Sequence, residues 1–170
     1  VASKVALSGW TPPVVLCLRF GGSALLLGLL FWKRILKTPK ATIRKGCTIG
    51  FLILVAFSIQ LLGLQYTTST KASFLCTSYV VLVPFISWIV LHHFPGVRVV
   101  IAGLLSFTGI GIISLNETYS IAFGDLLCLL YNVPYGLAIV CVGAFSKKDT
   151  DTVQMTFFQF FTISLLAGLL

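Results

Sequence analysis

"TSTKASFLCTSYVVLVPF", residues 68–85, begins with hydroxyl groups and one lysine and ends as an apolar run that contains a proline. Together with the "ISWIVL" that follows, it provides about the 20 residues that a helix needs to cross a bilayer. Lipid offers no partner for a hydroxyl group or for the carbonyl that a proline leaves unpaired, whereas neighbouring helices and wet cavities do. The stretch therefore predicts a membrane-spanning helix with one side facing the interior of a helical bundle.

The whole chain has the composition of an integral membrane protein. Of its 170 residues, 58% are hydrophobic and 9% are charged, and the mean hydropathy is +1.05, whereas about a quarter of the residues of a soluble domain are charged. The chain starts at Val1 and stops within the apolar run "LLAGLL", so we expect a piece of a longer polypeptide. The polar breaks predict an all-α bundle whose spans follow the tail of an earlier helix near 1–8 and lie at 12–31, 46–64, 71–91, 97–115, 121–143 and 152–170.

The charged residues are distributed unequally between the two sides of these predicted helices. The segment 32–45 holds six basic residues and no acidic one, and basic loops remain in the cytoplasm. Membrane orientation thus explains the formal net charge of +8, and we expect a lipid bilayer and no nucleic acid as partner. Lys71, on the opposite side, is expected to reach the membrane interface, and Arg19 lies inside the span 12–31. The loops predicted to be cytoplasmic are 32–45, 92–98 and 146–151.

One face of the predicted helix 71–91 carries most of its hydroxyl groups and its proline. At about 100° per residue, the following side chains share one stripe: Ser73, Thr77, Val80, Pro84, Ser87 and Trp88. Two interpretations remain open for this stripe. Small side chains allow close packing between helices, and the same groups can line a wet cavity.

The predicted helix 121–143 repeats this pattern around Asn132. Asn132 and Tyr135, one turn apart, can either hold a polar solute at mid-depth or make an interhelical hydrogen bond for packing. Asp125, on the same face, is a candidate for proton coupling, or else an interfacial cap of its helix. Gln60 is likewise either a packing group or a cavity group.

Other features of the chain indicate neither a metal site nor a catalytic site. The five cysteines are widely spaced, with no CxxC pair and no histidine at ligand spacing, so we expect no metal and no cofactor. The sequence has no GxSxG and no HExxH, which leaves an intramembrane enzyme as a weak alternative. Small residues on one face of 97–115 suit close helix approach, either within the chain or in a homodimer.

The order of several segments resembles the EamA group of the drug/metabolite transporter superfamily. The resemblance is carried by "LQYTTSTKASFLCTSYVVLVPFISWIVL", then "GLLSFTGIGIISLN", then "GDLLCLLYNVPYGLAIVCVGAFSKKD". It implies ten helices in two five-helix repeats of inverted topology, in the bacterial inner membrane. On that plan the chain holds the end of the first helix and helices two to seven, with the first repeat at 1–118 and the start of the second at 119–170.

Five helices per repeat predict that 23–30 is related to 163–170. "SALLLGLL" and "ISLLAGLL" share five positions at an offset of 140 residues, and the same offset pairs Phe20 with Phe160. Inverted repeats with proline-interrupted helices indicate a binding site near the bilayer midplane.

The resemblance also assigns roles to individual residues. Thr70 to Pro84 matches the fourth-helix pattern, Tyr135-Gly136 matches an aromatic-small pair in the sixth, and Arg19 matches an arginine often kept in the second. The chain departs from the family at "HHFPGVRV", which lacks the usual Gly-Glu, and at Asn132 and Pro134, where we place its own selectivity.

From these residues and the resemblance, the sequence predicts a secondary carrier that exports small polar organic solutes by alternating access. Ser73, Thr77 and Pro84 would line one wall of its cavity, with Asn132 and Tyr135 opposite. The alternative is a membrane remnant that does not transport, or an assembly subunit.

Overall fold

The computed structural model describes residues 12–92, 96–115, 123–146 and 151–169, and these residues are helical with short connections and no strand. The prediction of an all-α protein is confirmed. The predicted tail of an earlier helix near residues 1–8 lies outside the described residues. The helices are α1 (Pro12–Ile35), α2 (Lys40–Gln65), α3 (Ser69–Thr77), α4 (Tyr79–Leu91), α5 (Val97–Leu115), α6 (Phe123–Phe145) and α7 (Thr152–Leu169).

Five helical segments within the described residues are long and apolar enough to cross a membrane. They are α1, α2, α3 together with α4, α6 and α7. The remaining predicted span, 97–115, forms α5, a helix of 19 residues that is not among these five. The chain is therefore a multi-pass membrane protein surrounded by lipid.

The two largest differences from the predicted helix boundaries lie at the basic segment between α1 and α2. The backbone of α1 departs from helical geometry at Phe31, where its span was predicted to end, but the helix continues to Ile35. α2 begins at Lys40 instead of residue 46. Pro39 precedes it with a φ suited to a helix start, and its carbonyl accepts a hydrogen bond from the Ile43 N–H at 3.2 Å. Long basic side chains can extend a helix beyond the hydrocarbon because their charged ends reach water.

The chain forms two compact units, whose boundaries fall within α2 and α6. One is the 56–140 unit, Ala56–Val140. The other, here called the terminal unit, contains the residues up to Val55 and those from Cys141 onward.

In the terminal unit, α1 packs antiparallel against α7. The Phe20 and Phe160 rings lie 5.6 Å apart between centroids. A methyl group added at Gly28 would lie 3.2 Å from the Phe157 ring, and one added at Gly168 would lie 3.5 Å from the Cys17 sulfur. The 140-residue offset relates Gly28 to Gly168 and Cys17 to Phe157, so it converts each of the last two contacts into the other. It also relates Phe20 to Phe160, so the phenylalanine pair is unchanged. A two-fold axis between the helices would produce this reciprocity.

The first half of α2 approaches α7 closely through two glycines one turn apart. A Cβ atom at Gly46 would lie 2.8 Å from the Met155 carbonyl oxygen, and one at Gly50 would lie 2.7 Å from the Gln159 carbonyl oxygen. This GxxxG spacing lets helix backbones pack closely in a bilayer. Larger residues at either position would push α2 away from α7.

Two contacts join helix ends of the terminal unit. The Gln154 side-chain amide at the start of α7 donates to the Arg34 carbonyl near the end of α1, at 2.8 Å. The Lys45 ammonium lies 5.7 Å from the centre of the Phe145 ring at the end of α6. The end of α6 and the start of α7 therefore lie on the same side of this unit as the connection at 32–45, as alternate crossing of a membrane predicts.

An apolar groove of about 520 Å³ lies between α1 and α7. Its one hydroxyl-bearing residue is Ser164, which lies within hydrogen-bonding distance of the Cys17 carbonyl and sulfur. A polar molecule would find few hydrogen-bond partners in this groove. The groove is lined by Gly21, Ala24, Leu25, Gly28, Leu29, Phe157, Phe161, Ser164 and Leu165.

Candidate functional site

The span that was predicted as one helix at 71–91 divides into α3 and α4 at Ser78, a local interruption of the helical hydrogen bonds that we call the break, although the Ser78 backbone keeps helical dihedral angles (φ −59°, ψ −14°). The Ser78 N–H bonds to the Leu75 carbonyl at 3.2 Å, three residues back, and the Ser78 carbonyl accepts the N–H groups of Val81 and Leu82. These short-range bonds tighten the chain between α3 and α4. Pro84 lies inside α4, six residues after the break, and removes the donor that would otherwise reach the Val80 carbonyl.

Asn132 of α6 forms a hydrogen bond with the backbone next to this break. Its side chain is 1% exposed, and its amide nitrogen donates to the Leu75 carbonyl at 3.0 Å. The Leu75 oxygen thus accepts both the Ser78 N–H and the Asn132 side chain. The predicted interhelical hydrogen bond of Asn132 is present, and it engages only the nitrogen of the amide.

Two buried polar atoms near this carbonyl have no hydrogen-bond partner within the described part of the chain. They are the Asn132 side-chain oxygen and the Ser78 hydroxyl, and Ser78 is 3% exposed. A buried acceptor or hydroxyl without a partner costs about 1–3 kcal/mol. Nearly all such groups in folded proteins are paired with protein, water or a ligand, so this pair marks a place where a further molecule can bind.

Four aromatic rings form a cluster that includes the chain neighbours of Ser78 and Asn132. Tyr79 follows Ser78 and Tyr131 precedes Asn132 in the chain. The Tyr135 ring centroid is 4.9 Å from that of Tyr79 and 5.0 Å from that of Tyr131. Phe57 of α2 meets Tyr131 edge to face at 5.9 Å and Tyr135 at 6.0 Å. We call Phe57, Tyr79, Tyr131 and Tyr135 the aromatic cluster; Tyr131 is buried and the other three are half-buried.

An ion pair joins α3 to α6 two turns before Asn132. The Lys71 ammonium lies 2.7 Å from one Asp125 carboxylate oxygen, and Thr67 donates its hydroxyl proton to the other at 2.6 Å. The Lys71 and Asp125 side chains are 11% and 5% exposed. Lys71, which was expected to reach the membrane interface, thus pairs with a carboxylate of the neighbouring helix, and both residues lie in the first turn of their helices.

The pairing of Lys71 with Asp125 and of Leu75 with Asn132 shows that α3 and α6 run parallel side by side. The Cys76 thiol lies within hydrogen-bonding reach of Cys128 and of Gln60. Cys128 is completely buried, between Asp125 and Asn132 along α6. The polar face that was predicted on α6 therefore packs against α3. The contact extends from Asp125, which pairs with Lys71, to Asn132, which bonds to Leu75.

The contacts described for Ser73, Thr77 and Arg19 do not involve Asn132. Ser73 and Thr77 have exposed side chains whose hydroxyl groups donate to carbonyls of their own helix, to Ser69 and Ser73 respectively, each at 2.7 Å. Pro84 is half-buried in α4. Arg19 belongs to the terminal unit, where its side chain is exposed and its guanidinium lies 5.7 Å from the centre of the Phe20 ring.

Sequence reasoning missed four residues of this region: Phe57, Ser78, Tyr79 and Tyr131. Tyr131 carried a signal, because it lies one turn before Tyr135 on a helix with a polar face. Ser78 is off the stripe of Ser73 and Thr77, so the angular analysis passed over it. Nothing in the sequence pairs Phe57 with the tyrosines.

Comparisons with known proteins agree with this architecture. Residues 1–115 match the EamA-like transporter family. The chain is 32% identical over 165 residues to an uncharacterized transporter of Archaeoglobus fulgidus, an alignment that covers 97% of this chain and 50% of the relative. The chain thus spans about half the length of this curated relative, and no solved structure matches it significantly. On the family match and this relative, the chain belongs to the EamA-like transporter family.

Proposed function

We propose that the intact protein is a secondary carrier that exports small polar organic solutes by alternating access, and that solute binds beside Ser78 and Asn132. The observation that carries this proposal is the pair of buried, unpaired oxygen atoms at a break in a spanning helix. Broken helices and unpaired polar groups are tolerated within a bilayer where they line a cavity or bind a ligand. A solute that hydrogen-bonds to these atoms would remove the cost of leaving them unpaired.

The aromatic cluster would form one wall of the solute site, with Tyr135 next to Asn132 on the α6 face. We keep Ser73, Thr77, Pro84 and Gln60 as proposed cavity residues. Exposed hydroxyl groups on α3 support this, since their bonds to their own helix leave the oxygen able to accept a further hydrogen bond.

The proposed architecture is two inverted repeats, at 1–118 and from 119 onward, with the connections at 32–45, 92–98 and 146–151 in the cytoplasm of a bacterial inner membrane. The reciprocal contacts of α1 with α7 support a two-fold relation, and the contacts of the segment 32–45 with the end of α6 and the start of α7 support the orientation. Residues 93–95 and 147–150 of these connections lie outside the described part of the chain.

Asp125 remains the proposed coupling residue, with Arg19 as a second candidate. The contacts of Asp125 with Lys71 and Thr67 support a role for it inside the bundle. Release of a proton from Asp125 when it pairs with Lys71 would link solute movement to a pH gradient. Exchange of solutes without proton coupling is the alternative.

The first experiment measures efflux from liposomes that contain the intact protein and a mixed pool of amino acids, nucleosides and small drugs, by mass spectrometry, with and without a pH gradient. We expect selective loss of some compounds, which Asn132→Leu reduces by at least about tenfold, since leucine leaves both the Leu75 carbonyl and the solute without the amide. Gln65→Leu, an amide-to-leucine change at an exposed position at the end of α2, is the control. Efflux by Asn132→Leu at the wild-type rate would remove Asn132 from the site, and loss of no compound would favour a membrane remnant or an assembly subunit.

A matched pair of threonines tests the hydroxyl stripe of α3. Thr77 and Thr108 are both exposed and donate to the carbonyl four residues back, at 2.7 and 2.8 Å. We expect Thr77→Val to slow efflux several-fold because a cavity hydroxyl is lost, and Thr108→Val to leave it within about twofold, since valine keeps the shape and each hydroxyl bonds to its own helix. Equal rates in the two variants would place Thr77 outside the cavity.

We keep a homodimer through α5 as a proposal. Ala102 and Ser106 are exposed, and a methyl group added at Gly109 would meet no atom within 4 Å, so this small-residue face of α5 is open in the described structure. Gly103 on the adjoining face packs against Val81 of α4. The mass of the purified protein in detergent distinguishes monomer from dimer.

A further inference from the structure

The unpaired groups beside the break are hydrogen-bond acceptors or can act as acceptors. An amide oxygen has two lone pairs and no proton, and the nitrogen of Asn132 already donates to the Leu75 carbonyl. The Ser78 hydroxyl can accept as well as donate. A solute group that carries N–H protons can therefore satisfy both atoms, whereas a carboxylate or phosphate would meet the Asn132 oxygen with repulsion.

The aromatic cluster favours positive charge at the same place. Tyrosine and phenylalanine rings present a negative π face, and a cation over such a face is attracted to it more strongly when both are shielded from water. Tyr79 and Tyr131 are chain neighbours of Ser78 and Asn132, so two rings of the cluster are held one residue along the chain from the unpaired oxygens. A protonated amine can use both.

The formal charges of the neighbourhood do not oppose this. Asp125 lies seven residues before Asn132, about 10 Å along the helix axis, and Lys71 neutralises it. An amine therefore meets neutral acceptors and rings, which bind it without the high desolvation penalty of a fixed carboxylate. A carrier needs such moderate binding in order to release its solute on the other side.

We propose that the site beside Ser78 and Asn132 selects organic amines in their protonated form, with the N–H groups donating to the two oxygens and the charge lying against the aromatic cluster. This inference rests on the proposed function and names its solute class. Quaternary ammonium compounds would use the rings alone, because they have no N–H, and organic anions would be excluded.

Three probes of similar size separate these contributions: 2-phenylethylamine, its trimethylammonium analogue and 3-phenylpropionate. Binding to the intact protein in nanodiscs is measured by equilibrium dialysis at pH 7. We expect the primary amine to bind about tenfold more tightly than the quaternary analogue, because a hydrogen bond from a charged donor adds to the cation–π contact. The anion is expected not to bind.

Variants assign the two contributions to residues. Asn132→Leu and Ser78→Ala are expected to weaken binding of the primary amine several-fold to tenfold, with little change for the quaternary compound. Tyr135→Leu is expected to weaken binding of both cations. Tyr135→Phe, which keeps the ring, is expected to leave their binding unchanged. Thr108→Val is the control, and gel filtration verifies that each variant is folded.

The amine proposal and the carrier proposal fail in different ways. Binding of the anion as tight as that of the amine, or no binding of either cation, overturns the amine proposal. If such a protein still releases other compounds from liposomes in a way that Asn132→Leu prevents, the carrier proposal stands. Absence of both binding and efflux overturns both.

Discussion

Replacement of Lys71 by leucine is expected to lower the free energy of unfolding of the intact protein in detergent by about 3–5 kcal/mol. The change leaves the Asp125 carboxylate, 5% exposed, with the Thr67 hydroxyl but without its cation. Removal of one partner of a buried ion pair is far more costly than removal of both, because the remaining charge stays desolvated. Asp125→Leu should destabilise by a similar amount, and the double variant should recover most of the loss.

The measurement is reversible unfolding in micelles with increasing SDS. Lys37→Leu, at an exposed lysine before α2, is the matched control and should change stability by no more than about 0.5 kcal/mol. A double variant no more stable than either single one would show that the pair contributes through packing instead of charge. Transport by the double variant carries separate information: efflux that still responds to a pH gradient would exclude Asp125 as the coupling residue.

The sequence could predict the membrane spans because hydropathy and helix length are local properties. The predicted span 121–143 and α6 differ by two residues at each end, and α5 begins and ends as predicted. The start of α2 was missed because its first turns carry Lys40, Arg44 and Lys45, which appear as loop when only apolar residues are counted.

The break at Ser78 could not be found in the same way. Pro84 indicates only that a hydrogen bond is lost one turn earlier, near Val80. The helix instead ends at Thr77, where Asn132, 57 residues away, supplies the bond to the Leu75 carbonyl. The position of the break depends on a tertiary contact that no local pattern contains.

Among the individual site residues, too, local patterns predicted some features, and others depend on tertiary contacts. The angular pattern of α6 correctly indicated a buried Asn132. It could not pair Lys71 with Asp125, because that requires knowing that α3 and α6 are parallel neighbours. The GxxxG spacing of Gly46 and Gly50 was visible in the sequence and was overlooked, and its role follows from the distance of α2 to α7.

A second large effect is expected at Gly124, in the first turn of α6. A Cβ atom there would lie 2.5 Å from the Gly63 carbonyl oxygen and 2.8 Å from the carbonyl carbon of Tyr66. Backbone atoms cannot rotate away as a side chain can, so α2 and α6 would have to separate. We expect Gly124→Ala to lower the free energy of unfolding by about 2–3 kcal/mol, in spite of the better helix propensity of alanine.

Gly143, in the same helix, provides the control for this prediction. A Cβ atom at Gly143 would meet no atom within 4 Å, so Gly143→Ala should stabilise the protein by up to about 1 kcal/mol through helix propensity alone. The opposite signs of the two changes would separate close helix approach from propensity. Equal stability of the two variants would mean that α2 and α6 are not held together at Gly63 and Gly124. The separation of these helices should also disturb the nearby pair of Lys71 and Asp125, so Gly124→Ala combined with Lys71→Leu should destabilise by less than the sum of the two changes.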